Sequence, residues 1–170
     1  RKMMEETKIL VLDHKQIQQK ITRIAFEIYE RNVGEEELVF AGITGMGYKL
    51  SGLLANKLKE ISPLKVRQIE ILLDKRATTM GEISLSETLP FEGKCLIIVD
   101  DVLNTGRTLA YAMNPFLKEA IKKMEIAVLV NRSHKLYPVS PDYTGYELAT
   151  TLSDHITVQL DSTSSTVHLH

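Results

Sequence analysis

Apolar residues recur at spacings of three and four between Lys15 and Arg31, where Ile17, Ile21, Ile24, Ala25 and Ile28 form one stripe and polar residues fill the rest. The pattern predicts an amphipathic helix. Leu38 to Ile43 is a short apolar run that ends in Gly42-Ile43-Thr44-Gly45-Met46-Gly47, after which Leu50, Leu53, Leu54, Ala55 and Leu58 resume helical spacing. This predicts a strand, a tight loop and a helix. Val66 to Leu73 reads as a second core strand. Asp74 to Gly93 is polar, carries Thr78, Thr79 and Pro90, and keeps no period, so it is expected to be a mobile functional loop that closes over a site, or a small hairpin.

The near-continuous apolar run Cys95 to Val99 suits a central parallel strand, Arg107 to Lys123 is expected to be helical, and Ile126 to Val130 is another buried strand. Alternating strands and helices predict an α/β fold, an open and mainly parallel sheet flanked by helices. With 170 residues, 44% of them hydrophobic and 25% charged, the chain suits a single domain, placed at residues 1–161. The Ser- and Thr-rich tail is expected to fray, over residues 162–170.

Arg1 to Thr7 is charged and the apolar run behind it, Ile9 to Leu12, has four residues, which does not resemble a signal peptide. No apolar stretch approaches the roughly 20 residues of a membrane span, so a cytoplasmic protein with no membrane partner is expected. Cys95 is the only cysteine; it excludes an intrachain disulfide and reads as a buried, inert thiol. A formal net charge of −1 gives no global footprint for nucleic acid and leaves a local basic patch open.

The chemistry concentrates in Ile97 to Thr108, IIVDDVLNTGRT. Asp100 and Asp101 follow an apolar strand and are expected to lie exposed at its carboxyl end, where ligands bind in open α/β sheets. Gly106 permits a close turn, the amides of residues 104 to 108 can converge on an anion at a helix start, and Thr105 and Thr108 add hydroxyl donors. Such a loop suits a phosphate monoester. Two carboxylates beside a phosphate repel it unless they serve sugar hydroxyls and a hydrated Mg²⁺. A ribose 5-phosphate satisfies both halves.

Residues 97 to 108 resemble the signature of the type I phosphoribosyltransferases, glycosyltransferases that use phosphoribosyl diphosphate and a nucleobase to give a nucleoside monophosphate and diphosphate. The resemblance implies that fold, with a small hood, and a homodimer or higher oligomer. It assigns Asp100, Asp101 and Asn104 to the catalytic centre, and Asp100, Asp101, Asn104, Thr105, Gly106, Arg107 and Thr108 to phosphoribosyl diphosphate. The acidic pair would hold the ribose hydroxyls and, through them or water, Mg²⁺. Thr44, Gly45, Met46 and Gly47 resemble the diphosphate loop, with glycines 45 and 47 suited to its unusual turn. Lys75 and Arg76 are candidate cations for the diphosphate, Arg107 another.

Within the family, the start ILVLD, Thr22-Arg23-Ile24-Ala25, Glu30-Arg31-Asn32, FAGI, AVLVNR with His134, and Val158-Gln159-Leu160-Asp161 are similar to the PyrR branch. That branch comprises regulators of pyrimidine operons with uracil phosphoribosyltransferase activity, which favours uracil and pyrimidine salvage. Two positions depart from it: Met46 stands where an arginine is usual, and Lys75 replaces an arginine without its bidentate fork. Ser140 to Glu147 resembles the base-stacking segment of hypoxanthine-guanine phosphoribosyltransferases, which makes Tyr146, with Thr144 and Asn131, the base-binding candidates. Tyr143 and Tyr146 read equally well as packing residues. Against a purine enzyme, Asn104 stands where an aspartate is usual and Asn131 where a lysine is. The alternatives are a nucleotide-sensing, RNA-binding regulator with weak or no catalysis, to which near-neutral charge lends no support, and a purine salvage enzyme.

Overall fold

The computed structural model describes residues 8–77, 81–149 and 154–170. In chain order the elements are β1 (Ile9–Leu12), α1 (His14–Arg31), β2 (Glu37–Ile43), α2 (Met46–Ile61), β3 (Lys65–Leu72), β4 (Ser84–Leu85), β5 (Cys95–Leu103), α3 (Arg107–Ala112), α4 (Asn114–Leu117), β6 (Lys123–Arg132), β7 (Tyr143–Leu148), β8 (Ile156–Gln159) and β9 (Thr166–Leu169).

A six-stranded sheet runs in the order β4-β3-β2-β5-β6-β7. All its neighbouring pairs are parallel except β3 with β4. The buried strands carry apolar residues on both faces because helices cover one face and the α3–α4 region the other. The fold is therefore the α/β arrangement that the periodicity predicts.

Helix α1 buries Ile17, Ile21, Ile24, Ala25 and Ile28, the stripe read from the sequence. Its start is fixed by a capping box, in which the Asp13 side chain accepts the Gln16 amide at 2.8 Å and the Gln16 side chain accepts the Asp13 amide at 2.9 Å. Each fully buried isoleucine contributes about 1.5–3 kcal/mol. Arg23, on the same helix, donates to the carbonyl oxygens of Thr144 and Gly145, which clamps α1 to β7.

The expected long helix from Arg107 to Lys123 is two short ones. Helix α3 ends at Ala112, and α4 carries Pro115 in its first turn. Proline has no N–H to donate and its ring crowds the carbonyl four residues earlier, so a continuous helix breaks here. The chain then reaches β6 by Lys123, earlier than its apolar centre predicts.

The tail does not fray. Strand β9 lies between β1 and β8 in an antiparallel three-stranded sheet, with Val167 and Ser165 fully buried. Residues 162–170 thus supply the middle strand of a hood. Asp161 organises the turn before β9, accepting the amides of Thr163 and Ser164, which hold its carboxyl down at about 2.

Residues 81–93 include a small hairpin, since β4 pairs with β3 and Ile83, Leu85 and Leu89 pack against the core. Thr78 and Thr79 lie outside the described residues. Cys95 is buried, and burial followed by the neighbouring Glu35 carboxylate pushes its thiol up, as suits an inert side chain. Among the described residues no helix is long and apolar enough to cross a membrane.

Candidate active site

Strand β5 runs on past its apolar stretch, so Asp100 and Asp101 are still part of it. Successive residues of a strand face opposite ways, and the two carboxylates consequently differ. Asp100 is buried, with 2% of its side chain exposed, whereas Asp101 keeps 17%. The expectation that both lie exposed fails for Asp100, which faces the first turn of α2.

Lys75, just beyond β3, bridges the pair: its Nζ lies 2.7 Å from Asp100 Oδ1 and 3.5 Å from Asp101 Oδ1. The Asp101 amide also donates to Asp100 Oδ1 at 2.9 Å. Burial, then the Asp101 carboxylate, pushes Asp100 up to about 8 against the pull of Lys75. Burial works against the Lys75 ammonium too, yet the two carboxylates outweigh it and hold Lys75 above its ordinary value. Asp100 thus resists ionising.

The loop between β2 and α2 approaches from the other side. Gly45 has φ 88° and ψ −133°, a conformation open to glycine alone. Gly47 is already helical, and its need for glycine is spatial: a Cβ there would lie 2.9 Å from both Asp100 Oδ1 and the Val99 carbonyl oxygen. Thr44 is anchored to β3, its amide to the Ile71 carbonyl at 2.9 Å and its hydroxyl to Glu70 at 3.0 Å. Met46 packs against the core under α2, an apolar role where a cation would face an anion.

The second loop turns at Gly106, φ 93° and ψ −4°, directly before α3. The Thr105 carbonyl accepts the amides of Leu136 and Tyr137 at 2.8 and 3.0 Å, which fixes the turn, and the Arg107 amide donates to the Thr105 hydroxyl at 3.3 Å. Arg107 reaches across to the Ala77 carbonyl at 3.2 Å. Arg76 stays away, 96% exposed and 3.9 Å from Asp74, so of the candidate cations the structure brings Lys75 and Arg107 to the site.

A cavity of about 260 Å³ is lined by residues 100 to 109 with Lys75 and Ile156. It gathers Asp100, Asp101, Asn104, Thr105, Gly106, Arg107 and Thr108 into one space. A second cavity of about 250 Å³ shares Asn104, Thr105 and Ile156 with it and adds Arg132, His134, Asp154 and His155. The hood strand β8 therefore roofs the junction of the two.

The base-binding candidates are not brought to either cavity. Asn131 is spent on its neighbours, donating to both Glu147 oxygens at 3.2 and 3.0 Å and accepting from Lys135. Burial holds the Lys135 ammonium below its ordinary value. Tyr146 packs against the α1–α2 core with the Lys20 ammonium 5.9 Å from its ring, and the Thr144 carbonyl belongs to the Arg23 clamp. Tyr143 is buried, donating to Glu125 at 2.9 Å, and burial with that carboxylate pushes its hydroxyl well above the usual range. In their place stand Arg132, His134, Asp154 and His155. Arg132 and His134 had a sequence signal, the one closing AVLVNR and the other just after it; Asp154 and His155 precede the hood strand β8 and reach the site by pairing across the whole chain.

Residues 10–164 match the family described as "Phosphoribosyl transferase domain". "Bifunctional protein PyrR" of Clostridium kluyveri is 33% identical over 160 residues, covering 90% of each chain. The protein of the same name from Brevibacillus brevis is 35% identical over 161 residues, again covering 90% of each. Among solved structures, a hypoxanthine-guanine phosphoribosyltransferase of Bacillus anthracis superposes with a TM-score of 0.70 at 21% identity, covering 84% of this chain and 85% of that one. A hypoxanthine phosphoribosyl transferase of Trypanosoma cruzi gives 0.76 at 18% identity, covering 88% and 83%. These two likenesses concern the fold. The chain belongs to the type I phosphoribosyltransferase family and is a phosphoribosyltransferase of the PyrR-like kind.

Proposed function

We propose that this protein transfers the phosphoribosyl group of phosphoribosyl diphosphate to a nucleobase, uracil by preference, and releases diphosphate. The observation that carries the reading is the adjacency of the two cavities, which share Asn104, Thr105 and Ile156: one holds the carboxylate pair and the anion loop, and the other lies beside it under the hood. The similarity to proteins named PyrR supports the choice of uracil.

In this reading a ring nitrogen attacks C1 of the ribose, the bond from C1 to the diphosphate oxygen breaks, and the nitrogen loses its proton. The transition state has oxocarbenium character, so the protein contributes position and charge. The 104–108 loop takes the 5′-phosphate, where the Thr105 and Thr108 hydroxyls and the start of α3 meet it. Asp101, the more exposed carboxylate, accepts ribose hydroxyls, and Asp100 fixes it through the shared lysine. Sugar hydroxyls at the carboxylates compete with Lys75, which frees its ammonium to meet the charge of the diphosphate.

Two adjacent carboxylates suit Mg²⁺ bound through sugar hydroxyls, diphosphate and water better than a cage made of protein alone. When bound, Mg²⁺ would offset charge on the leaving diphosphate. Diphosphate release measured with phosphoribosyl diphosphate, Mg²⁺ and a panel of bases tests the proposal. Release with uracil supports it; binding of UMP with no release for any base would leave a nucleotide sensor and refute transfer.

A further inference from the structure

Asn104 lines both cavities, and its amide has a fixed polarity. Arg132, only 8% exposed, donates from Nη1 to Asn104 Oδ1 at 3.2 Å. A guanidinium has donors and no acceptor, so the amide oxygen must be the atom that meets it. The hydrogens of Nδ2 are then what Asn104 offers a ligand. An aspartate at this position would accept from the same arginine and present the ligand with an acceptor instead.

We infer that Asn104 acts as a hydrogen-bond donor that selects nucleobases presenting a lone pair to it, a carbonyl oxygen or an unprotonated ring nitrogen, and disfavours those presenting an N–H. The inference rests on the phosphoribosyl-transfer reading and specifies the substrate class for the same site. An amide neither takes nor gives a proton near neutrality, so Asn104 is not the acceptor of the transferring nitrogen's proton, which the departing diphosphate or water can take. A site built to donate leaves its donor unpaired when the acceptor is missing, and that loss is the source of discrimination.

The test compares each base with an analogue in which one acceptor is weakened or removed, uracil with 4-thiouracil, whose sulfur accepts far more weakly than oxygen, and hypoxanthine with 7-deazahypoxanthine, in the wild type and in Asn104→Asp. The variant keeps an acceptor for Arg132, and the ratio of kcat/KM within one protein cancels any effect on the activated sugar. For the base that is used, the wild-type ratio should be about 10–100-fold in favour of the parent and fall to about one or below in Asn104→Asp. Affinities of the corresponding nucleoside monophosphates give the same ratio without turnover. A wild-type ratio near one for both pairs, or a ratio unchanged by Asn104→Asp, overturns the inference while leaving transfer intact. Failure of phosphoribosyl diphosphate to bind, read by calorimetry, overturns the transfer reading and the inference with it.

Discussion

Helix α2 contains two glycines whose replacement by alanine should have opposite effects. At Gly47 a Cβ would sit 2.9 Å from the Val99 carbonyl oxygen and 3.1 Å from Asp100 Cα, both backbone atoms that cannot step aside. Ordinary contact begins near 3.4 Å, so α2 or β5 must move by about half an ångström. Overpacking of this kind costs about 1–3 kcal/mol, and the better helix propensity of alanine returns less than about 1 kcal/mol of it. At Gly52 the same Cβ would meet only the end of the Gln68 side chain, at 3.4 Å, so Gly52→Ala should gain about 0.5–1 kcal/mol. In thermal denaturation Gly47→Ala should lower Tm by about 2–8 °C and Gly52→Ala should raise it by about 1–4 °C. The displaced loop of Gly47→Ala should also weaken phosphoribosyl diphosphate binding by about 10-fold or more, whereas Gly52→Ala should not. Equal stability and affinity in the two variants would refute the close-approach argument.

The charge trio yields two further outcomes. The folded pKa of Asp100 is raised, so its contribution to stability is full below its ordinary carboxylate range and is lost as pH climbs through about 8. Stability of the ligand-free protein should therefore fall with rising pH across that window, and Asp100→Asn should flatten the fall in urea unfolding at pH 5 and pH 9. Lys75→Met removes the cation between the carboxylates, and it should destabilise by about 1 kcal/mol or more at pH 9 and by less at pH 5, where Asp100 is protonated. An equal loss at both pH values would show that Lys75 acts through packing. Truncation after Leu160 deletes the middle strand of the hood; expected results are partial unfolding by circular dichroism and loss of nucleotide binding, and a fully active truncated protein would contradict the hood's role.

Local signals made the carboxylate pair and the loop of the candidate site legible. Asp100, Asp101 and the Asn104–Thr108 loop are contiguous, and the stripe of α1 needs only one helix to be seen. What escaped depends on pairing between distant residues. Strand β9 has a short, polar-flanked sequence, and it is ordered only because β1 and β8 enclose it. Tyr146 resembles a stacking residue in sequence, yet the Arg23 clamp draws β7 onto α1 and turns it toward the core. The burial of Asp100 follows from Gly47, 53 residues earlier, which lets α2 close over the end of β5.

In the proposed function, residues 100–108 and the loop at 44–47 form one site for phosphoribosyl diphosphate. Calorimetric titration of phosphoribosyl diphosphate with Mg²⁺ into the wild type and into the Asp100→Asn, Asp101→Asn double variant tests it most directly. One site per chain in the wild type, lost or weakened at least about 100-fold in a variant that still unfolds cooperatively, is the predicted result. No binding to the wild type, or equal binding to both proteins, would contradict the account.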